Sequence, residues 1–199
     1  MPATLLLASG SATRARLLKS AGVPFEAVSP RVDEVALRAA LQADGMSPRD
    51  IADALAEAKA RKVAARFPSH FVLGGDQVAE VDGDVLTKPE SPEDALDQLR
   101  SLAGKRHALH SAAVLYEDGQ PTWRVVSTAR LAMRPLSEAY LVDYVARNWQ
   151  TIRHSAGGYL IEEEGVRLFR HIEGDLFTVQ GLPLLQLIDH LAIRGLIET

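Results

Sequence analysis

Several stretches of this chain place phosphate-handling residue types where a fold could use them. In Ser9-Gly10-Ser11-Ala12-Thr13-Arg14, small residues, hydroxyls and a guanidinium gather at what reads as the start of a helix. Unpaired backbone N–H groups at a helix N-terminus attract anions, and an arginine adds charge-assisted donors. The segment is no P-loop, because the Gly-Lys-Ser/Thr ending is absent. Taken alone it also fits an ordinary capped turn with a solvated arginine. In Gly74-Gly75-Asp76-Gln77, paired glycines allow close backbone approach. A carboxylate at the carboxyl end of a buried strand can ligate Mg²⁺ or take a proton from a metal-bound water. The same residues also fit a strand-end turn in which Asp76 caps a neighbouring N–H. Lys59, Lys88 and Glu34 read by default as solvated surface charge.

Other chemistries are excluded by inventory. The chain has no cysteine, so disulfides, thiolate metal sites and thiol nucleophiles are absent; a reducing compartment is permitted by this, and the cytoplasm is the expected location. Its six histidines show no zinc spacing, and there is no Gly-x-Ser-x-Gly elbow. A net charge of -4 argues against a nucleic-acid polymer as partner, while leaving open a small anion held by a few placed cations. The opening Met1-Pro2-Ala3-Thr4 lacks a basic leader, and the apolar run after it is far short of the roughly 20 residues that span a bilayer, so no membrane association is expected.

The elements that must position these residues follow from periodicity and turn chemistry. Residues 5–8 read as a strand, and Ser11 as the N-cap of a helix to about Ala21, stopped by Gly22. Residues 24–28 read as a second strand, followed by the acidic Asp33-Glu34 loop and a short helix. Ser47-Pro48-Arg49-Asp50 opens a long amphipathic helix over residues 51–66. Residues 71–79 read as a buried strand that breaks at Gly74-Gly75, with Asp82-Gly83 a hairpin turn beyond it. Ser91-Pro92-Glu93-Asp94 starts another helix, which stops at Gly104. Alternation over residues 107–133 around Asp118-Gly119 indicates two long antiparallel strands, and residues 137–148 return to helical spacing. The remainder reads as a hairpin over residues 159–172, a loop, and a last helix over residues 184–196. Strand and helix alternate without a composition break, which indicates an α/β fold in one domain over residues 1–199.

The order of these segments resembles one family. Leu7-Ala8-Ser9-Gly10-Ser11-Ala12-Thr13-Arg14-Ala15-Arg16-Leu17-Leu18 is similar to the Maf opening Leu-Ala-Ser-x-Ser-Pro-Arg-Arg-x-x-Leu-Leu. The further blocks follow in register: Asp33-Glu34, Ala58-Lys59-Ala60, Gly75-Asp76, Lys88-Pro89, Leu102-Ala103-Gly104-Lys105-Arg106-His107, Ala156-Gly157-Gly158-Tyr159 and Gly181-Leu182-Pro183. The resemblance implies an inosine-triphosphatase-like α/β fold, with a mixed twisted sheet, flanking helices and two lobes around a cleft. It implies a nucleoside triphosphate pyrophosphatase that uses Mg²⁺ or Mn²⁺, and a homodimer. In that reading Asp76 is the proton acceptor, Ser9, Arg14, Lys59 and Lys88 bind phosphate, and Glu34 and Asp76 hold the metal. A carboxylate is too weak a base for bulk water, but metal-bound water is far more acidic.

Three departures concern the base. Against the family branch that handles dTTP and UTP, Thr13 replaces an arginine, Gln77 a threonine and Glu162 a glutamine. Gln77 with Glu162 instead resembles the branch acting on 7-methyl-GTP, although that branch commonly carries tryptophan where this chain has Thr13. A carboxylate can accept from both N1–H and the exocyclic amine of guanine, and 7-methylation makes that base positive. The expectation is therefore a preference for 7-methyl-GTP or another modified purine nucleotide. A dTTP/UTP pyrophosphatase and a non-catalytic nucleotide-binding regulator of septum formation are the competing readings.

Overall fold

A computed structural model describes residues 5–198; Met1 to Thr4, where no basic leader is expected, and Thr199 lie outside the described residues. The chain folds as strand β1 (Leu5–Ala8), helix α1 (Ala12–Ser20), β2 (Phe25–Ala27), α2 (Glu34–Ala43), α3 (Pro48–Ala64), β3 (Phe71–Val81) and β4 (Asp84–Leu86). It continues with α4 (Pro92–Leu102), β5 (Arg106–Glu117), β6 (Gln120–Met133), α5 (Glu138–Ile152), β7 (Phe169–Glu173), α6 (Leu176–Val179) and α7 (Leu184–Ile193). The expected N-caps at Ser11, Ser47 and Ser91 form, and Ser137 adds a fourth: each side chain accepts a backbone N–H from the first turn of its helix. No described helix is long and apolar enough to cross a membrane.

The expected mixed α/β architecture is present as an open seven-stranded sheet ordered β2-β1-β3-β5-β6-β7, with β4 attached to β3. β1 pairs in parallel with β2 and β3, whereas β4, β5, β6 and β7 join antiparallel. The Asp82-Gly83 and Asp118-Gly119 hairpin turns both have positive φ at each residue, as turns between twisted strands require.

β3 departs from its expected reading. It does not break at Gly74-Gly75 but runs through them, and those glycines thin the sheet on its two faces. A Cβ at Gly74 would lie 2.2 Å from the Ala56 carbonyl oxygen and 2.8 Å from Ala60 Cβ, so α3 rests directly on the strand. α3 permits this because Ala52, Ala56, Ala60 and Ala64 present a small stripe at four-residue spacing, all buried. A Cβ at Gly75 would meet the Arg14 side chain at 3.1 Å from the other face.

The edge of β3 is shared. β1 pairs with it as far as Gly74, β4 begins only at Ala79, and residues 75–78 have a strand neighbour on the β5 side alone. A notch results in the centre of the sheet. On the α1 side the core divides around it. One cluster includes Leu5, Leu7, Leu18, Leu73, Leu115 and Leu187, the other Leu99, Leu109, Leu131, Met133, Tyr144 and Tyr159.

Two further elements differ from expectation. Residues 159–172 form turns, a short 3-10 helix at Glu164–Leu168 and the single strand β7, not a hairpin, because β7 finds its partner in β6. The loop after it contains α6, capped by Asp175, whose carboxylate accepts from both the backbone N and the hydroxyl of Thr178.

Two outcomes follow. Gly74→Ala is expected to cost about 2 kcal/mol or more in urea unfolding, since the new methyl meets backbone and not a flexible side chain; a neutral result would mean that α3 does not sit this close. His107 is buried in the second cluster against Tyr159 and Phe169, with Nε2 2.6 Å from the Tyr159 hydroxyl, and burial pushes its pKa down to about 4 from 6.5. Between those values the unfolded chain binds the proton and the folded chain does not, so stability falls as pH drops from about 6.5 to about 4, by about 3 kcal/mol in all. Urea midpoints measured across that window should show this slope, and His107→Gln should flatten it.

Candidate active site

The notch is where the sequence candidates meet. Along β3, residues 74, 76 and 78 face α3 while 75 and 77 face α1 and α6, so Asp76 emerges on the α3 side. The close seating of α3 at Gly74 brings Lys59 to it: Nζ donates to Asp76 Oδ1 at 2.6 Å, with both side chains about 5% exposed. The same ammonium reaches Glu34 Oε2 at 2.9 Å on the first turn of α2. Lys59 therefore bridges two carboxylates, and is not the solvated surface lysine that its residue type suggests.

Arg14 enters from the opposite face. Its Nε donates to the Gly181 carbonyl at 2.7 Å and its Nη1 to Ser9 Oγ at 3.1 Å. Ser9 Oγ also accepts from the backbone N of Ser11, so the turn between β1 and α1 is locked before any ligand arrives. Burial is the largest influence on Arg14 and pushes its pKa down, opposed by the carboxylates of Asp76 and Glu34. At Glu34 burial again works against the charge, but Lys59, with Lys88 and Arg38 behind it, outweighs burial and draws the pKa down. Lys88 is exposed in the loop between β4 and α4, near enough to act on Glu34. Ser9, Arg14, Glu34, Lys59, Asp76 and Lys88 thus converge from six places in the sequence.

Two cavities flank this region. One of about 300 Å³ lies between the Ser9–Ala12 turn and residues 27–29. A larger one of about 400 Å³ lies between α2 and α3, rimmed by Arg31, Arg61 and Lys62. The larger holds neither Asp76 nor Lys59, and its one acid, Asp33, already caps α2, so the acid–cation chemistry belongs to the notch.

The residues expected to select the base divide. Gln77 Nε2 donates to Ser111 Oγ and to the carbonyls of Thr178 and Val179, at 3.0 to 3.1 Å. Backbone carbonyls accept only, which fixes the amide orientation and turns Oε1 to the other side. Glu162 is ion-paired to Arg16 of α1. Thr13 is half-buried on the first turn of α1. Ser111, Thr178 and the Gly181 carbonyl went unrecognised in the sequence. Ser111 is fully buried, a lone hydroxyl before the apolar run over residues 112–116, and that break in alternation was the available signal. A backbone carbonyl leaves none.

The residues present fit a divalent cation. Mg²⁺ characteristically takes one or two carboxylates and completes its shell with water and substrate phosphate. Asp76 Oδ2 is buried without a hydrogen-bond partner, beside a second carboxylate at Glu34. Among the described residues no group of three or more His, Asp or Glu side chains is placed to cage a metal by itself. Such a site would be completed by the ligand and not by the protein.

Known proteins resemble this chain over its whole length. The nucleoside triphosphate pyrophosphatase of Ruegeria pomeroyi is 58% identical over 199 residues, covering 100% of both chains. That of Caulobacter vibrioides is 49% identical over 189 residues, 95% of this chain and 94% of its own. The 7-methyl-GTP pyrophosphatase of Rhizobium meliloti is 44% identical over 198 residues, with 100% of both chains covered. Residues 4–193 match the family described as Maf-like protein. With the match spanning nearly the whole chain, this protein belongs to the Maf-like family.

Proposed function

We infer that this chain is a nucleoside triphosphate pyrophosphatase that hydrolyses its substrate to the nucleoside monophosphate and pyrophosphate. Full-length relatives at up to 58% identity carry that name. The observation that carries the reading is the Lys59 ammonium held between Asp76 and Glu34, with Arg14 approaching from the other face of the sheet. Water attacks the α-phosphorus, the bond from that phosphorus to the bridging oxygen breaks, and pyrophosphate leaves. Asp76 accepts the proton of the attacking water through Oδ2, the oxygen left without a protein partner. Arg14, Lys59 and Lys88 neutralise charge that shifts onto the leaving pyrophosphate. Ser9 keeps Arg14 aimed.

Asp76 and Glu34 are the residues that would hold Mg²⁺ or Mn²⁺. When bound, the cation makes the attacking water more acidic and offsets phosphate charge. The protein's charges alone do not suffice: Arg14 and Lys59 are already matched by the two carboxylates, and a triphosphate adds about four negative charges. For the base, Glu162 supports a purine with adjacent N1–H and amine donors, and 7-methyl-GTP is the proposed preferred substrate over dTTP and UTP. The enzyme is proposed to act as a cytoplasmic homodimer on free nucleotides.

Pyrophosphate release from 7-methyl-GTP, GTP, UTP and dTTP with Mg²⁺ tests this reading. Asp76→Asn should lower kcat by at least about a hundredfold, the usual worth of a general base. Equal, negligible release by wild type and variant with nucleotide binding intact would indicate a regulator instead. Added Mg²⁺ or Mn²⁺ should raise the melting temperature of the wild type and not that of Asp76→Asn. Lys59→Met leaves a buried carboxylate unpaired and should cost about 3 kcal/mol or more at neutral pH in urea unfolding; a neutral substitution would mean that the ion pair is not buried as described.

A further inference from the structure

Arg16 lies on α1 one turn beyond Thr13 and on the same helix face. Unlike Arg14 it is outside the notch, with its side chain 53% exposed. Its Nη2 donates to Glu162 Oε1, a residue 146 positions further along the chain. The contact is end-on, engaging one carboxylate oxygen through one nitrogen, without the two-pronged geometry that arginine and carboxylate can adopt. Glu162 is far less exposed than its partner, at 16%. A largely buried carboxylate needs a counter-charge, and Arg16 supplies it before any nucleotide is present.

Resting on the reading that Glu162 contacts the base, we propose that Arg16 is a specificity-determining residue that competes with the base for Glu162. A base with two adjacent donors, such as guanine or 7-methylguanine, needs both carboxylate oxygens. Arg16 holds one of them. Such a base must share that oxygen with the guanidinium or displace it, and an oxygen already neutralised by Arg16 accepts a further donor less strongly, while a pyrimidine, which lacks the donor pair, does not contend for both oxygens. Displacement is feasible because the Arg16 side chain is half in solvent and rehydrates when released. The ion pair therefore weakens purine binding selectively, and acts on affinity and not on the chemical step.

Calorimetric binding of 7-methyl-GMP and UMP to wild type, Arg16→Ala and Arg16→Gln tests this directly. Both variants should raise the ratio of 7-methyl-GMP to UMP affinity by about fivefold, the upper worth of a partly exposed ion pair. In turnover, the ratio of kcat/KM for 7-methyl-GTP over UTP should rise similarly, with the change carried by KM. Added salt should narrow the gap between wild type and variants, because an exposed guanidinium is screened. Unchanged ratios would overturn the proposal. So would weaker purine binding in both variants, which would make Arg16 a group that orients Glu162. Because the monophosphate measurement needs no turnover, it remains decisive if the wild type releases no pyrophosphate, an outcome that would sink the enzymatic reading alone.

Discussion

Close approach to one strand from both of its faces is the constraint on which the site depends. At Gly74 the backbone of α3 lies where a methyl group would have to sit, and at Gly75 a methyl group would crowd the Arg14 side chain at 3.1 Å. Side chains at these positions would push the helix and the guanidinium apart. Lys59 would then lose contact with Asp76, and Arg14 would be held away from the carboxylates that favour its charge. The strand tolerates two adjacent glycines because β5 pairs with it over residues 72–80, so their backbone freedom is curbed by the ladder.

Electrostatics supply the second layer. Burying an ion pair gains little net stability, since desolvation offsets attraction, and such pairs are often replaceable by apolar residues without loss. A lysine and an aspartate each about 5% exposed, with one carboxylate oxygen unpartnered, are therefore better understood as a binding arrangement than as a stabilising one. The cluster is close to charge-balanced without ligand. That balance lets it stay buried without a ligand, and it is also why a polyphosphate would bring a cation with it.

A polar row organises the opposite face. Gln77 and Ser111 are register partners on β3 and β5, placed between two apolar clusters, and α6 covers them with its carbonyls. The next turn of chain delivers the Gly181 carbonyl to Arg14, with φ of +97° at a position where a Cβ would meet Arg14 and Gln77. The C-terminal segment thus completes a site begun by β1 and α1. Tight coupling between the chain ends and the central strand follows from this route.

Local chemistry determined much of the chain without help. Serine caps set the starts of α1, α3, α4 and α5, and Asp-Gly turns set both hairpins, because those preferences are satisfied within a few residues. The ordered motifs identified the family for the same reason: each is a local pattern. The tertiary structure decided what depends on distant partners. Lys59 reads as a surface lysine until α3 is laid on Gly74, and nothing in the sequence points to Arg16 as the counter-charge of Glu162 until the two are found side by side. Residues 159–172 read as a hairpin, but the edge of β6 takes β7 as its partner and the rest of the segment forms turns and a short 3-10 helix. A strand edge and a backbone carbonyl carry no mark in the residues that form them, so only packing could reveal where they met.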